Sequence, residues 1–324
     1  MNRNRFYILS FVLLLGNVST VVALPRCMHV MSYHQGYAWN DGIEEGVEKT
    51  LLGKCELRKF YMDSKRNTSP EFIRRKAIEA KQQIEQFKPD IVIVSDDNAS
   101  RYLVQPYYKD TQLPVVFNGI NWTAEVYGYP YMNATGMVEV APVEEMLDIA
   151  RRNKKLINNI VFISDDVVTE HKDFRHYKRI YEKQGVSVSG VFVKTMDEWE
   201  KAFIEAQSSD FIILGNNAGI NDWDKRRAAR HVETKGKKLT MTTYSWMMPY
   251  VMLGVSKRAQ EQGEWAADVA LAVLSGTNIS AIPITVNRHW TYYQNKVLLK
   301  KANIIIDKIS RHKAISKDWL NVTN

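Results

Sequence analysis

The chain lacks the signatures of common catalytic machinery. It contains no G-x-S-x-G nucleophile elbow, no Walker loop and no G-x-G-x-x-G fingerprint, and GVSVSG and GNNAG sit outside the strand and helix context such loops need. Neither an enzyme nor a cofactor is therefore expected. Only two cysteines, Cys27 and Cys55, are present, too few soft ligands for a structural metal site. Beyond the N-terminus there is no long apolar run of the kind that spans a bilayer. A basic stripe with interleaved stacking aromatics is missing too. Basic residues scatter through segments such as FIRRKAIEAKQQ and WDKRRAARHVETKGKK, the pattern of solvated helix faces, so no nucleic-acid partner is expected.

What is present begins with an export signal. Arg3 and Arg5 precede an apolar stretch from Tyr7 to Leu15, and Val21 and Ala23 stand at minus three and minus one of a cleavage site. Asn17, Ser19 and Thr20 interrupt the run before it reaches spanning length. Residues 1–23 thus read as a cleaved signal peptide and the mature chain as periplasmic. Cys27 follows Pro25 and Arg26 rather than small residues, so no lipid is expected there. The formal charge of +8 loses two with Arg3 and Arg5.

Export also sets the redox prior for the cysteines. Each opens a predicted strand, Cys27 before MHVMS and Cys55 before ELRKFYM. If those strands are neighbours in a parallel sheet the sulfurs meet, and closing such a loop adds roughly 3 kcal/mol on the chain-entropy model. A disulfide is expected, with two buried thiols as the alternative.

At 324 residues and 45% hydrophobic content the chain has material for about two domains. A helix starting near Asp41 carries Ile43, Val47 and Leu51 on one face. A second, with Ser69 as cap and Pro70 at its first position, repeats Ile73, Ala77, Ile78, Ile84 and Phe87 at helical spacing. The compact strand DIVIV, a helix through Tyr102 and Leu103, and PVVFN complete a βαβαβαβ pattern, which implies a parallel sheet. The loop from Trp122 to Thr135, rich in Gly, Pro, Tyr and Asn, marks a lobe boundary before a second series of the same kind. DIVIVSDD and NIVFISDD share a pattern that supports two similarly built lobes, with chance similarity between buried strands as the alternative.

Open α/β sheets bind ligands beyond the carboxyl ends of their strands. In MHVMSYHQGYAWNDG that position holds Tyr33, His34, Tyr37, Trp39 and Asn40. The Ser-Asp-Asp segments beginning at Ser95 and Ser164 resemble acidic pairs, but helix capping is the plainer reading because a helix follows each. His34 is read as a structural histidine.

The run GVSKRAQEQGEWAADVALAVLSGTNISAIPI and the stretch SYHQGYAWNDGIEEGVEKTL resemble the ABC-transporter substrate-binding proteins of the type I periplasmic binding protein fold, including stand-alone and sensory relatives. The resemblance spans Arg26 to Asp307. It implies an α/β chain of two flavodoxin-like, doubly wound parallel-sheet lobes joined by hinge crossings. The first lobe would comprise 24–135 plus 251–284 and the second 136–250 plus 285–324. Loop positions then place Tyr33, His34, Tyr37, Trp39, Asn40, Ser95, Asp96, Asp97, Asn118, Asn121 and Trp122 on one side of a cleft, facing Asp165, Asn216, Asn217, Tyr244 and Trp246. Helix N-termini suit a carboxylate, Asp96 or Asp165 an ammonium, and the aromatics a flat or apolar body. The expected ligand is an amino acid or related zwitterion, closed upon by a monomer. The expected partner is an ABC permease or, alternatively, a membrane histidine kinase or diguanylate cyclase. The tail past Asp307 has no strong pattern, and docking of Trp319 and Leu320 onto the second lobe is expected.

Overall fold

The computed structural model describes residues 23–308, 313–316 and 319. The expected signal peptide before Ala23, and Leu320, lie outside them.

The first lobe is built from β1 (Arg26–Met31), α1 (Ala38–Leu51), β2 (Glu56–Tyr61), α2 (Pro70–Phe87), β3 (Ile91–Ser95), α3 (Asp96–Ala99), α4 (Gln105–Tyr107), β4 (Val115–Asn121) and β5 (Ala134–Glu139). A π turn at Ser100–Val104 joins α3 to α4. The second runs α5 (Val143–Asn153), β6 (Asn159–Asp165), α6 (Val168–Lys183), β7 (Ser187–Val193), α7 (Met196–Glu205), β8 (Phe211–Leu214), α8 (Lys225–Lys235), β9 (Leu239–Thr242) and β10 (Leu253–Lys257). The chain then returns through α9 (Ala259–Leu274) and β11 (Thr285–Val286), and finishes on β12 (Trp290–Gln294), α10 (Lys296–Lys301) and β13 (Ala314–Ser316).

Each lobe is a mainly parallel sheet, ordered β11-β5-β4-β3-β1-β2 and β13-β12-β10-β9-β8-β6-β7, with β12 antiparallel to β10. Strands such as IVIVS in β3 are buried along their whole length, as expected where helices cover both faces of a parallel sheet. The expected α/β architecture of two doubly wound lobes is thus the observed one.

Local signals explain several elements. Ser69 Oγ accepts the Phe72 N–H at 3.2 Å and Pro70 opens α2 as expected, though Ile78 is 45% exposed rather than on the buried face. α1 begins at Ala38, three residues before the expected start, leaving Asp41 in its first turn. The small residues of α9 let it press against α1: a Cβ on Gly263 would lie 2.0 Å from the Ile43 carbonyl oxygen. Cys27 and Cys55 form the expected disulfide, with β1 and β2 paired in parallel and the two Cα atoms 6.0 Å apart. Trp319 is buried in the second lobe's core, where its indole N–H donates to the Gln294 carbonyl at 2.9 Å.

Sheet membership moves the expected lobe boundaries. β5 belongs to the first sheet, β10 pairs with β9 in the second, and β11 pairs with β5 in the first. The crossings therefore fall at 140–142, near Arg258 and at 287–289, not after 135, 250 and 284. The composition shift marked the loop before β5, but each of these strands first adds its edge to the sheet it is leaving.

Side chains tie the crossings together in pairs. The Lys257 ammonium meets the Glu139 carboxylate, the Val140 N–H donates to Asn287 Oδ1 at 2.7 Å, and the N–H groups of Arg288 and His289 each donate to the Glu261 carboxylate at 2.8 Å.

Candidate functional site

The carboxyl ends of β1, β3, β4 and β5 gather most of the residues expected from the first lobe. Tyr33 and Tyr37 pack edge to face at 5.3 Å, and the Lys65 ammonium lies 5.2 and 5.3 Å from their ring centroids. Trp39, on the first turn of α1, carries the Lys257 ammonium 5.3 Å from its ring. Burial, then Asp96, Asp97 and Glu139, hold the Tyr33 phenol well above its usual range, so it stays a hydrogen-bond donor.

Asp96 is the focus of this lobe. It follows β3 with a left-handed φ of 69°, beside Gly119, whose own φ is 71°. A Cβ at Gly119 would stand 3.0 Å from Asp96 Oδ1, so glycine is what lets β4 pass this carboxyl. Such backbone strain is tolerated where the surroundings require the conformation. Asp96 is 1% exposed, and neither its Oδ2 nor the Trp39 Nε1 completes a hydrogen bond within the protein. Burial first, then Glu139 and Asp97, raise its pKa well above the carboxylate range, while the Trp39 N–H and the Lys65 ammonium pull it down. Asn118, fully buried, has both polar atoms of its side chain unpartnered.

The Ser-Asp-Asp segments do not cap their helices as expected. Ser95 accepts no helix N–H; its hydroxyl meets His29 Nε2 at 2.7 Å, and the N–H of Ala99 is taken by Ser32 Oγ at 2.8 Å. The left-handed turn at Asp96, the first residue of α3, sets its carboxyl beside Gly119 of β4. In the second lobe Asp165 accepts the Gly219 N–H at 2.6 Å and the Asn216 amide at 3.3 Å, bracing the loop after β8.

Other expected residues are engaged in different ways. Asn40 is buried with its amide against Met31 Sδ, and His34 Nδ1 stands 3.5 Å from Asp63. Asn121 donates to Asp97 Oδ2 at 3.0 Å. Trp122 reaches across to the second lobe, donating to Asp173 Oδ1 at 2.8 Å and stacking on His176 at 4.4 Å. Tyr244 donates to Glu170 Oε1 at 2.8 Å and stacks on Trp246 at 4.6 Å. The Trp246 indole, 55% exposed, donates to Asn216 Oδ1 at 3.3 Å. Asn217 is half-buried in the same loop.

Sequence reasoning missed Glu139, Lys257, Glu170 and Asp173. Burial lifts the Glu139 pKa while Lys257 opposes the rise. A faint signal existed, since Glu139 and Lys257 are charged residues ending otherwise uncharged strands.

No family model matches the sequence, and no curated protein does. Solved structures do match. CD0873 from Clostridium difficile, a substrate binding protein with adhesive properties in its ligand-free, open form, is 12% identical with a TM-score of 0.66, over 90% of this chain and 99% of that one. An ABC domain in complex with L-Trp from Streptococcus pneumonia is 16% identical with a TM-score of 0.55, over 89% and 99%. A periplasmic ribose ABC transporter from Conexibacter woesei is 14% identical with a TM-score of 0.56, over 87% and 96%. At these identities the likeness establishes the fold, that of type I periplasmic binding proteins.

Proposed function

We propose that the chain is an exported solute-binding protein that closes its lobes on a small organic ligand, an amino acid or related zwitterion, and delivers it to an ABC permease. The observation that carries this reading is the Asp96 carboxyl: buried, strained, without a hydrogen bond to its Oδ2, and flanked by Tyr33 and Trp39, which act on it. A buried polar atom left unpaired costs about 1–3 kcal/mol, and a ligand ammonium would relieve it. Trp246, exposed on the facing lobe and stacked on Tyr244, offers a lid for the ligand body. Closure is then a population shift limited by the ligand's differential affinity for the closed arrangement. Its hinge is the set of crossings tied by Glu139–Lys257 and Asn287–Val140.

The test is thermal unfolding of refolded protein against amino acids, sugars, nucleosides and small carboxylates. Ligand at a hundred times its dissociation constant stabilises by about 2.7 kcal/mol. A shift confined to amine-bearing solutes supports the proposal; a shift confined to sugars or carboxylates contradicts it.

A further inference from the structure

Carboxyl groups gather at the strand ends and first helical turns of both lobes. Asp96, Asp97 and Glu139 stand at the strand ends of the first lobe, and Asp165, Glu170 and Asp173 lie at the end of β6 and on the first turns of α6. They share one electrostatic field: Asp97 and Glu139 both raise Asp96, and Asp173 acts on Glu139, Lys257 and Tyr244. Of these six, only Glu139 has a salt-bridge partner, Lys257. Asp97 is held by neutral donors, the Asn121 amide and the Tyr127 hydroxyl at 2.7 Å. Glu170 is likewise held by the hydroxyls of Ser164 and Tyr244, and Asp173 by the Trp122 indole. Six carboxyl groups thus stand against two ammonium groups, Lys65 and Lys257, in a chain whose formal charge is +8.

Two further observations indicate what that field attracts. The buried Asp96 Oδ2 completes no hydrogen bond within the protein, although the Trp39 N–H acts on the carboxyl. The aromatic faces beside it already receive ammonium groups, Lys65 over Tyr33 and Tyr37 and Lys257 over Trp39. Among the described residues no cluster converges closely enough to hold a metal ion, so the carboxylates suit an extended organic cation. With Lys257 engaged by Glu139, a ligand carboxylate would have Lys65 to meet it, and the remaining carboxyl groups favour a ligand with a further cationic group.

We infer that the ligand carries net positive charge and belongs to the basic amino acids or the diamines, with one cationic group at Asp96 and a second toward Asp173 and Glu170. This rests on the solute-binding reading and narrows it. Low-dielectric walls lined by one sign of charge concentrate ligands of the other sign, and aromatic faces add cation–π attraction.

The decisive experiment is calorimetric titration of the full chain, expressed with its own N-terminal segment, with L-lysine, L-arginine, putrescine, L-leucine, L-glutamate and D-ribose. At least one of the first three should bind tenfold or more tighter than L-leucine, and weaken several-fold when salt is raised from 50 to 500 mM. L-lysine against putrescine separates the amino-acid source of the charge from the diamine source. Asp96→Asn should lower that affinity at least tenfold while raising the unliganded melting temperature, because it removes a buried carboxyl whose ionisation burial and acidic neighbours oppose. Asp97→Asn, at a less buried position, should lower affinity in the same direction. Equal or tighter binding of L-leucine, L-glutamate or D-ribose overturns the charge inference and leaves the solute-binding reading standing. Binding by none of the six probes overturns both.

Discussion

The two lobes present similar polar residues at their strand ends but satisfy them differently. In the second lobe Ser164, Asp165, Glu170, Asn216 and Gly219 close on one another: the Asn216 N–H donates to Ser164 Oγ at 2.9 Å and Ser164 donates to Glu170 at 2.7 Å. The first lobe leaves Asp96, Asn118 and Trp39 with unpartnered atoms and holds Asp96, Gly119 and Trp122 at left-handed φ values of 69°, 71° and 65°. At the strand ends, the second lobe's network is complete as built, while the first lobe's residues carry strain and unmet hydrogen-bonding capacity. Such costs persist where function requires them. On the proposed solute-binding reading, the first lobe is the anchor for ligand and the second a preformed lid.

Breaking the complete side should have the largest effect. Asp165→Ala would strip the Gly219 N–H and the Asn216 amide of their acceptor, and should destabilise the chain by about 2–3 kcal/mol in urea unfolding. Matching values for Asp165→Ala and Asp96→Ala would erase the contrast between the lobes.

The first lobe also contains a buried base. His29 is held neutral, its pKa lowered from 6.5 to about 3 by burial and by Lys59. Its unfolded form takes up a proton that the folded form refuses. Stability should therefore be fully present above pH 6.5 and fall by about 1.4 kcal/mol per unit as pH drops toward 3. His29→Gln should flatten that slope in acid titrations followed by circular dichroism; an unchanged slope would locate the acid sensitivity elsewhere.

Gly119→Ala tests the strained turn. Its positive φ and the close Asp96 carboxyl should together cost about 1–2 kcal/mol in thermal unfolding. Trp122→Phe should have the smallest effect. It removes the hydrogen bond to Asp173 but retains a ring for His176, so a loss of about 1 kcal/mol or less is expected, read as a modestly wider interlobe distance distribution in spin-label measurements.

The sequence made the alternation of elements, the cap at Ser69 and the Cys27–Cys55 bond legible because each is written locally or follows from strand neighbours. The crossings were placed too early because β10 and β11 are assigned by pairing partners, which composition does not record. Of the candidate site, loop positions were legible from strand ends, but the roles within them were not. Asp96 looked like a cap, and only its backbone turn reveals otherwise. Glu139 and Lys257 stand 118 residues apart, and no local pattern announces such a pair.

Hydrogen exchange with and without saturating L-arginine tests the anchor-and-lid account most directly. Slowed exchange should concentrate at 31–40, 95–99 and 118–122, where the unliganded protein is least satisfied, with little change at 215–219. Protection centred on the second lobe's network, with the first lobe unchanged, would contradict it.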